Sequence, residues 1–193
     1  MKILFFVDLH DDHESFLELK EKAKDVDLIV GAGDYSIFGN YLREILKEIN
    51  NFNKPTYLIR GNHEFEEEMK EAIKGLKNLK YFHKEVKEIN NIKFIFYGGD
   101  GFSKKDKEFE VFTKKIAKTN KTTILVLHGP PNRTELDINY FGHTGNESYT
   151  EFIKSYQPSL VICGHIHENS EKQDLINKTT IINPGPRGLI LNV

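Results

Sequence analysis

The sequence predicts an α/β fold whose chemistry gathers along one edge of the strands. Apolar runs of strand length alternate with segments of helical periodicity along the whole chain. Five of those runs end in clusters rich in Asp, His, Asn and Gly. No low-complexity stretch, internal repeat or Pro/Gly/Ser linker interrupts the 193 residues, which suits one domain, residues 1–193, around one substantial core.

The first strand run is Ile3 to Val7. Phe16, Leu17, Lys20 and Ala23 then follow helical spacing behind caps at Asp11 or Asp12. After a strand over Leu28 to Val30, Ile37, Tyr41, Leu42, Ile45, Leu46 and Ile49 fall on one helical face, with Ser36 as N-cap. Thr56 to Ile59 reads as a third strand, and Phe65, Met69, Ala72, Ile73 and Leu76 as another helical stripe. Val86 to Ile89 and Ile92 to Tyr97 flank Asn90-Asn91, a hairpin signal. A helix from about Ser103 to Ala117 and a strand over Thr123 to Leu127 follow. Tyr149, Phe152, Ile153 and Tyr156 mark the last helix, closed by Pro158. Leu160 to Cys163 and short runs near the C-terminus complete the strands.

Composition narrows the function classes. Hydrophobic residues at 38% and charged residues at 29% describe an ordinary globular chain. No apolar run approaches the roughly 20 residues that span a bilayer, so no membrane role is expected. Ile3 to Val7 is too short for a secretory segment, and the lone Cys163 cannot form an internal disulfide; together they predict a reducing, cytoplasmic setting. A net charge of −2 lacks the basic excess of proteins that track extended nucleic acid.

The five polar clusters are Asp8-Leu9-His10, Gly31-Ala32-Gly33-Asp34, Arg60-Gly61-Asn62-His63-Glu64, His128-Gly129-Pro130-Pro131 and Gly164-His165-Ile166-His167. Carboxyl ends of strands in open α/β sheets form the ligand-binding edge, so these clusters should converge in space. Carboxylate, imidazole and amide donors together suit Mn²⁺, Zn²⁺ or Fe²⁺ better than a thiolate-preferring metal.

Asp8-Leu9-His10, Gly33-Asp34, Gly61-Asn62-His63-Glu64, His128 and Gly164-His165-Ile166-His167, in that order and each after an apolar strand, resemble the motif set of calcineurin-like metallophosphoesterases. Asn183-Pro184-Gly185 is similar to family members as well. His128-Gly129-Pro130-Pro131, Leu136-Asp137, Gly142-His143, Gly145 and Gly164 to Glu168 resemble the small single-domain, Icc-like branch. Two positions depart from the pattern: Val7 stands where many members carry a small residue, and Ile37 where a longer second motif has another Asp. The resemblance implies a four-layer αββα sandwich, two mixed β-sheets flanked by helices.

It also implies two divalent metal ions, manganese first, with Zn, Fe, Ni or Mg as alternatives. Asp8, His10, Asp34 and His167 would hold one, and Asp34, Asn62, His128 and His165 the other, with Asp34 shared. Two dications against two carboxylates leave a positive surplus that lowers the pKa of a bridging water toward roughly 7, so that hydroxide attacks phosphorus in line. One charge then remains, which matches a phosphodiester monoanion. A small phosphoester, a nucleotide or cyclic nucleotide among them, is the expected substrate. His63 resembles the family's leaving-group acid or phosphate stabiliser, with Glu64 as a candidate orienting partner whose role is structural before it is catalytic.

His143 and Arg60 are candidate substrate contacts, and Arg133, Tyr35 and Tyr140 candidate pocket residues. His13 and His83 read as ordinary polar positions, Cys163 as core, and Lys104-Lys105 and Lys114-Lys115 as solvated faces. Gly98-Gly99-Asp100-Gly101 is too generic for a phosphate loop. The rival readings are a scaffold or non-catalytic metal-binding protein on the same fold, disfavoured because every ligand position is filled, and a nuclease of the same superfamily.

Overall fold

The computed structural model of the chain describes residues 1–99 and 102–193; Asp100 and Gly101, within the glycine-rich run named above, lie outside the described residues. The first third alternates strand and helix: β1 (Lys2–Phe6), α1 (His13–Ala23), β2 (Leu28–Gly31), α2 (Leu42–Asn50), β3 (Thr56–Leu58), α3 (Glu66–Ala72) and β4 (Leu79–Tyr81). A hairpin of β5 (Glu85–Ile89) and β6 (Ile92–Tyr97) follows, then α4 (Lys107–Thr113) and β7 (Thr123–Leu127). A small hairpin, β8 (Ile138–Asn139) and β9 (Gly142–His143), precedes α5 (Glu147–Tyr156) and β10 (Leu160–Ile162). The chain closes with β11 (Gln173–Ile176), β12 (Thr179–Ile182) and β13 (Leu189–Asn192).

These strands form two large mixed sheets, ordered β13-β1-β2-β3-β4 and β11-β12-β10-β7-β6-β5. In the first, β1 to β4 run parallel and β13 is antiparallel to β1. In the second, β12, β10, β7 and β6 are parallel, with an antiparallel strand at each edge. Strand alternation explains the layering. In β1, Ile3 and Phe5, followed by Val7, face the opposite sheet and meet Phe94, Phe96, Ile124, Val126 and Ile162. Leu4 and Phe6 face outward under helices, among Leu19, Leu46 and Met69. The outer face of the second sheet packs Leu125, Leu127 and Val161 against Phe109 and Ile153. The result is a helix–sheet–sheet–helix sandwich. Phe96, wholly buried between the sheets, is a position where truncation to Ala costs about 3–5 kcal/mol.

Helix ends follow local chemistry. Asp12 caps α1 by accepting from the Glu14 amide, Asp106 caps α4 through Phe109, and Asn146 caps α5 through Ser148 and Tyr149. Three expectations need correction. The second helix starts at Leu42, not near Ile37, because Gly39-Asn40 closes a turn back to Ile37 and Phe38 and Tyr41 adopt left-handed backbone. Ser36 Oγ accepts from the Gly39 amide and so caps that turn, not a helix. The fourth helix covers only Lys107–Thr113, beginning at its Asp106 cap. β4 and the β8–β9 hairpin are too short to have shown a period.

Candidate metal centre

The carboxyl ends of β1, β2 and β3 in one sheet meet those of β7 and β10 in the other, and the polar clusters line that seam. Asp8 donates its amide to the Gly33 carbonyl, and the His165 amide donates to Asp8 Oδ2 at 2.8 Å, tying the two sheets together. Two glycines make the approach possible. A Cβ on Gly164 would lie 2.4 Å from Val7 Cγ2, and one on Gly61 would lie 2.0 Å from Asp34 Oδ1. The Asn183-Pro184-Gly185 segment supports the seam from behind, where the Gly185 carbonyl accepts from the Val7 amide. Val7, the residue that departs from the family pattern, fills the space facing Gly164.

All seven candidate ligands come together. Asp34 Oδ2 is the hub, 3.3 Å from His128 Nε2, 3.6 Å from His10 Nε2 and 4.0 Å from His63 Nε2. Asn62 Oδ1 receives two imidazole nitrogens, His128 Nε2 at 2.9 Å and His165 Nδ1 at 2.8 Å. His10 and His167 meet through their Nε2 atoms at 3.0 Å. Three groups have donor atoms close enough to share a cation: Asp8, His10 and His167; His10, Asp34 and His63; and Asp34, His128 and His165. Asp8, Asp34 and His128 are buried, His10, Asn62, His63 and His165 half-buried, and His167 exposed.

The backbone is strained where these side chains converge. Asp8, His10, Asp34 and His165 all have φ between 45° and 73°, a region that non-glycine residues seldom enter. Glu64 holds part of this geometry: buried, it accepts from the amides of Asp34, Tyr35, Ser36 and Gly61. Both of its carboxylate oxygens are engaged by these amides, so it braces the turn that carries Asp34 and is not the orienting partner expected for His63. Burial, with the Asp34 charge adding, pushes its carboxyl up.

Protonation reflects the crowding. Burial alone would raise Asp34 and depress His128, but their mutual attraction outweighs it. Asp34 is held well below the usual carboxylate range, and His128 is lifted to about 9. Its Nδ1 faces the Ala32 carbonyl at 2.9 Å, so Nδ1 carries a proton in either state and Nε2 is the titrating atom that faces Asp34 and Asn62. Burial, helped by the His128 charge, depresses His165 to about 4. Burial also lowers His10 and raises Asp8.

The arrangement fits a pair of divalent cations on grounds internal to the structure. Asp8 Oδ1 is buried without a hydrogen-bond partner, aimed at His128 Nδ1 from 4.0 Å. Two ring nitrogens converge on one amide oxygen, and a proton on His128 Nε2 bridges to the Asp34 carboxylate. Hard oxygens and imidazoles in this mixture suit first-row divalent metals.

His63 sits at the edge of the cluster. Its Nδ1 accepts the Phe38 amide at 3.1 Å, so in the neutral ring Nε2 bears the proton and faces Asp34. His143 is not among the converging groups; its Nδ1 binds the buried Asp137 carboxylate at 2.7 Å, which also accepts from the amides of Arg133, Thr134 and Gly145. Arg60 turns its guanidinium back onto the Gly61 carbonyl, beside Tyr81 and Glu66. Tyr35 is core, its hydroxyl donating to the Ile59 carbonyl, and Tyr140 projects into solvent. Cys163 is buried, and burial pushes its thiol up. Ile37, at the second position of departure, is half exposed and brings no carboxylate. Two partners were not anticipated from the sequence, the Phe38 amide and the Ala32 carbonyl; both are backbone groups, to which side-chain identity is blind.

The comparisons with known proteins bear on the family and the fold. The model of the family described as calcineurin-like phosphoesterase matches residues 1–169. The comparison with curated proteins gives no match. Among solved structures, a protein of Thermus thermophilus is 14% identical, with a TM-score of 0.71 over 95% of this chain and 88% of that one. Phosphopantetheinyl hydrolase from Mycobacterium tuberculosis is 13% identical, with a TM-score of 0.63 over 95% and 88%. A dimetal phosphatase from Danio rerio is 11% identical, with a TM-score of 0.62 over 94% and 86%. At these identities the neighbours share the fold. The match to the family model, which spans most of the chain, shows that this protein belongs to the calcineurin-like phosphoesterases.

Proposed function

We propose that the chain is a dinuclear metal-dependent phosphoesterase acting on small phosphodiesters, with manganese as the preferred metal. The observation that carries the reading is the single carboxylate oxygen, Asp34 Oδ2, that lies within reach of histidines from both groups of candidate ligands. Asp8, His10, Asp34 and His167 would hold one cation, and Asp34, Asn62, His128 and His165 the other. When bound, the cations would activate water as a nucleophile and offset charge on the phosphoryl oxygens.

The chain's own residues supply the remainder. Against the four positive charges of two divalent cations, Asp8 and Asp34 would supply two negative ones, Asn62 and neutral imidazoles none, and a hydroxide nucleophile a third, which leaves one charge to match a singly charged ester over a dianion. The Ala32 carbonyl fixes the His128 ring from behind through Nδ1, which turns the donor atom Nε2 toward Asp34 and Asn62. The Phe38 amide holds His63 with its Nε2 proton toward the pocket, the orientation required to protonate a departing alkoxide.

Among the described residues no helix is long and apolar enough to cross a membrane, and the buried, unpaired Cys163 supports the cytoplasmic setting included in this reading. The test assays the purified protein, supplied with Mn²⁺, Zn²⁺, Ni²⁺ or Mg²⁺, on matched mono- and diesters. The expected result is metal-dependent turnover favouring diesters, cut about 10²–10³-fold by Asn62→Ala and by His63→Ala. Turnover indifferent to both changes would remove the proposed site. A metal-replete protein inert on every ester would return the scaffold reading to first place.

A further inference from the structure

Two phenyl rings rest on two histidines of the site, and neither gains the burial that would explain it as core. Phe38 is 75% exposed, and its ring stacks on His63 with centroids 4.2 Å apart and planes inclined by 21°. Its backbone has φ of 51°, a conformation that bulky residues avoid and that no burial of the side chain compensates. Phe102 is 71% exposed and meets the His165 ring edge-on, with centroids 4.4 Å apart at 86°. His63 faces Asp34 and His165 faces Asn62, so both phenyl rings border the candidate metal centre, where an ester would react.

We propose that Phe38 and Phe102 select phosphoesters that carry a flat unsaturated ring, aryl or heteroaryl, beside the phosphorus. This deepens the phosphoesterase reading and rests on it. His63 covers one face of the Phe38 ring and leaves the other available to a ligand. The ligand ring would then lie next to the residue placed to protonate the leaving oxygen. Phenyl platforms of this kind have two side-chain torsions to fix, and the stacking on His63 already restricts them, so little ordering remains when a ring binds. Aromatic stacking of one ring is worth about tenfold or more in affinity. Tyr140 and Phe141, at the tip of the β8–β9 hairpin, pack on each other and take no part.

The test uses methylphosphinates, singly charged like a diester and built on carbon–phosphorus bonds that hydrolysis leaves intact. Phenyl(methyl)phosphinate, cyclohexyl(methyl)phosphinate and the methylphosphinate isostere of adenosine 5′-phosphate are titrated calorimetrically into the protein in manganese buffer. Phenyl and cyclohexyl match in size and charge and differ in flatness, and the nucleoside arm separates a heteroaryl base from a simple aryl group. The expected result is that one of the two flat ligands binds about tenfold or more tighter than the cyclohexyl ligand. Phe38→Leu and Phe102→Leu should each shrink that ratio several-fold, and Phe38→Trp should keep it. A ratio near one in the unaltered protein, a ratio that survives both Leu variants, or no binding of any phosphinate overturns the proposal. Phenyl and cyclohexyl methyl phosphodiesters run alongside read the phosphoesterase reading separately. Hydrolysis with ring-blind binding sinks the ring proposal alone, whereas ring-selective binding without hydrolysis sinks the activity.

Discussion

Asn62, His128 and His165 close one side of the candidate metal centre around a wholly buried ring, whereas His10 and His167 close the other, with His10 half-buried beside the Ser36 backbone and His167 exposed. On the first side the fold supplies partners to the rings: His128 spans the Ala32 carbonyl and Asn62, and His165 meets the same amide oxygen. On the second side the contact between His10 and His167 joins one half-buried ring to one exposed ring, end to end through their Nε2 atoms. The His128 ring is therefore preorganised by the fold, while the position of the exposed His167 ring depends on what it binds. Two cations held by such a centre should differ in affinity, the one beside His128 being the tighter. Asp34, which reaches both sides, couples them.

The largest effect should come from removing that coupling. Asp34→Asn deletes the negative charge facing His128 and His10 while preserving shape. Metal content measured by elemental analysis should fall from two per chain to below one, and turnover should drop by about 10³-fold or more. Retention of both metals would show that the two sides are independent and would break the comparison.

A smaller effect should separate the sides. His128→Ala empties a buried position and leaves Asp34 without its main partner, so the metal-free protein should lose roughly 2–4 kcal/mol of stability in denaturant unfolding. His167→Ala removes an exposed ring from a short 3₁₀ turn; the metal-free fold should change by under about 1 kcal/mol. Its signature should instead be one weakened metal site, about 10–100-fold by titration. Equal stability losses in the two variants would mean that the buried side is no better ordered than the open one.

The same division governs what the sequence makes legible. Five strand-end clusters, each a short apolar run followed by a donor, locate both sides of the centre, because that pattern is local and repeated. Alternation within Ile3 to Val7 likewise anticipates the layers, since both faces of the strand are covered. The features that preorganise the buried side are less visible. The Ala32 carbonyl and the Phe38 amide belong to the backbone, and the left-handed conformations of Asp8, His10, Asp34 and His165 have no composition signal, since non-glycine residues seldom adopt them. The helical stripe from Ile37 to Ile49 looked continuous because Ile37 and Tyr41 fit its period; Gly39-Asn40 was the local sign that a turn interrupts it. His143 stands apart from the cluster because Asp137 holds its ring, a contact formed only once the β8–β9 hairpin closes.

The smallest effect is carried by a single proton. In the metal-free protein His128 is lifted from 6.5 to about 9, so its pairing with Asp34 stabilises the fold fully below about pH 6.5 and is lost as the pH rises through about 9. The depressed carboxyl of Asp34 works in the opposite range: its contribution is present above the ordinary carboxylate value and is lost only in strong acid. A cation at the buried side needs the lone pair of His128 Nε2 and must displace that proton. At pH 7.5 metal uptake should therefore release about one proton from this ring, countable by calorimetry in buffers of different ionisation enthalpy. Apparent affinity should rise about tenfold per pH unit up to pH 9 and level off beyond it. On the open side burial lowers His10 while it raises Asp8, so the loosely held cation should take the His10 nitrogen there without displacing a proton from that ring. Proton release that accompanies the weaker site and not the tighter one would invert the assignment of the two sides.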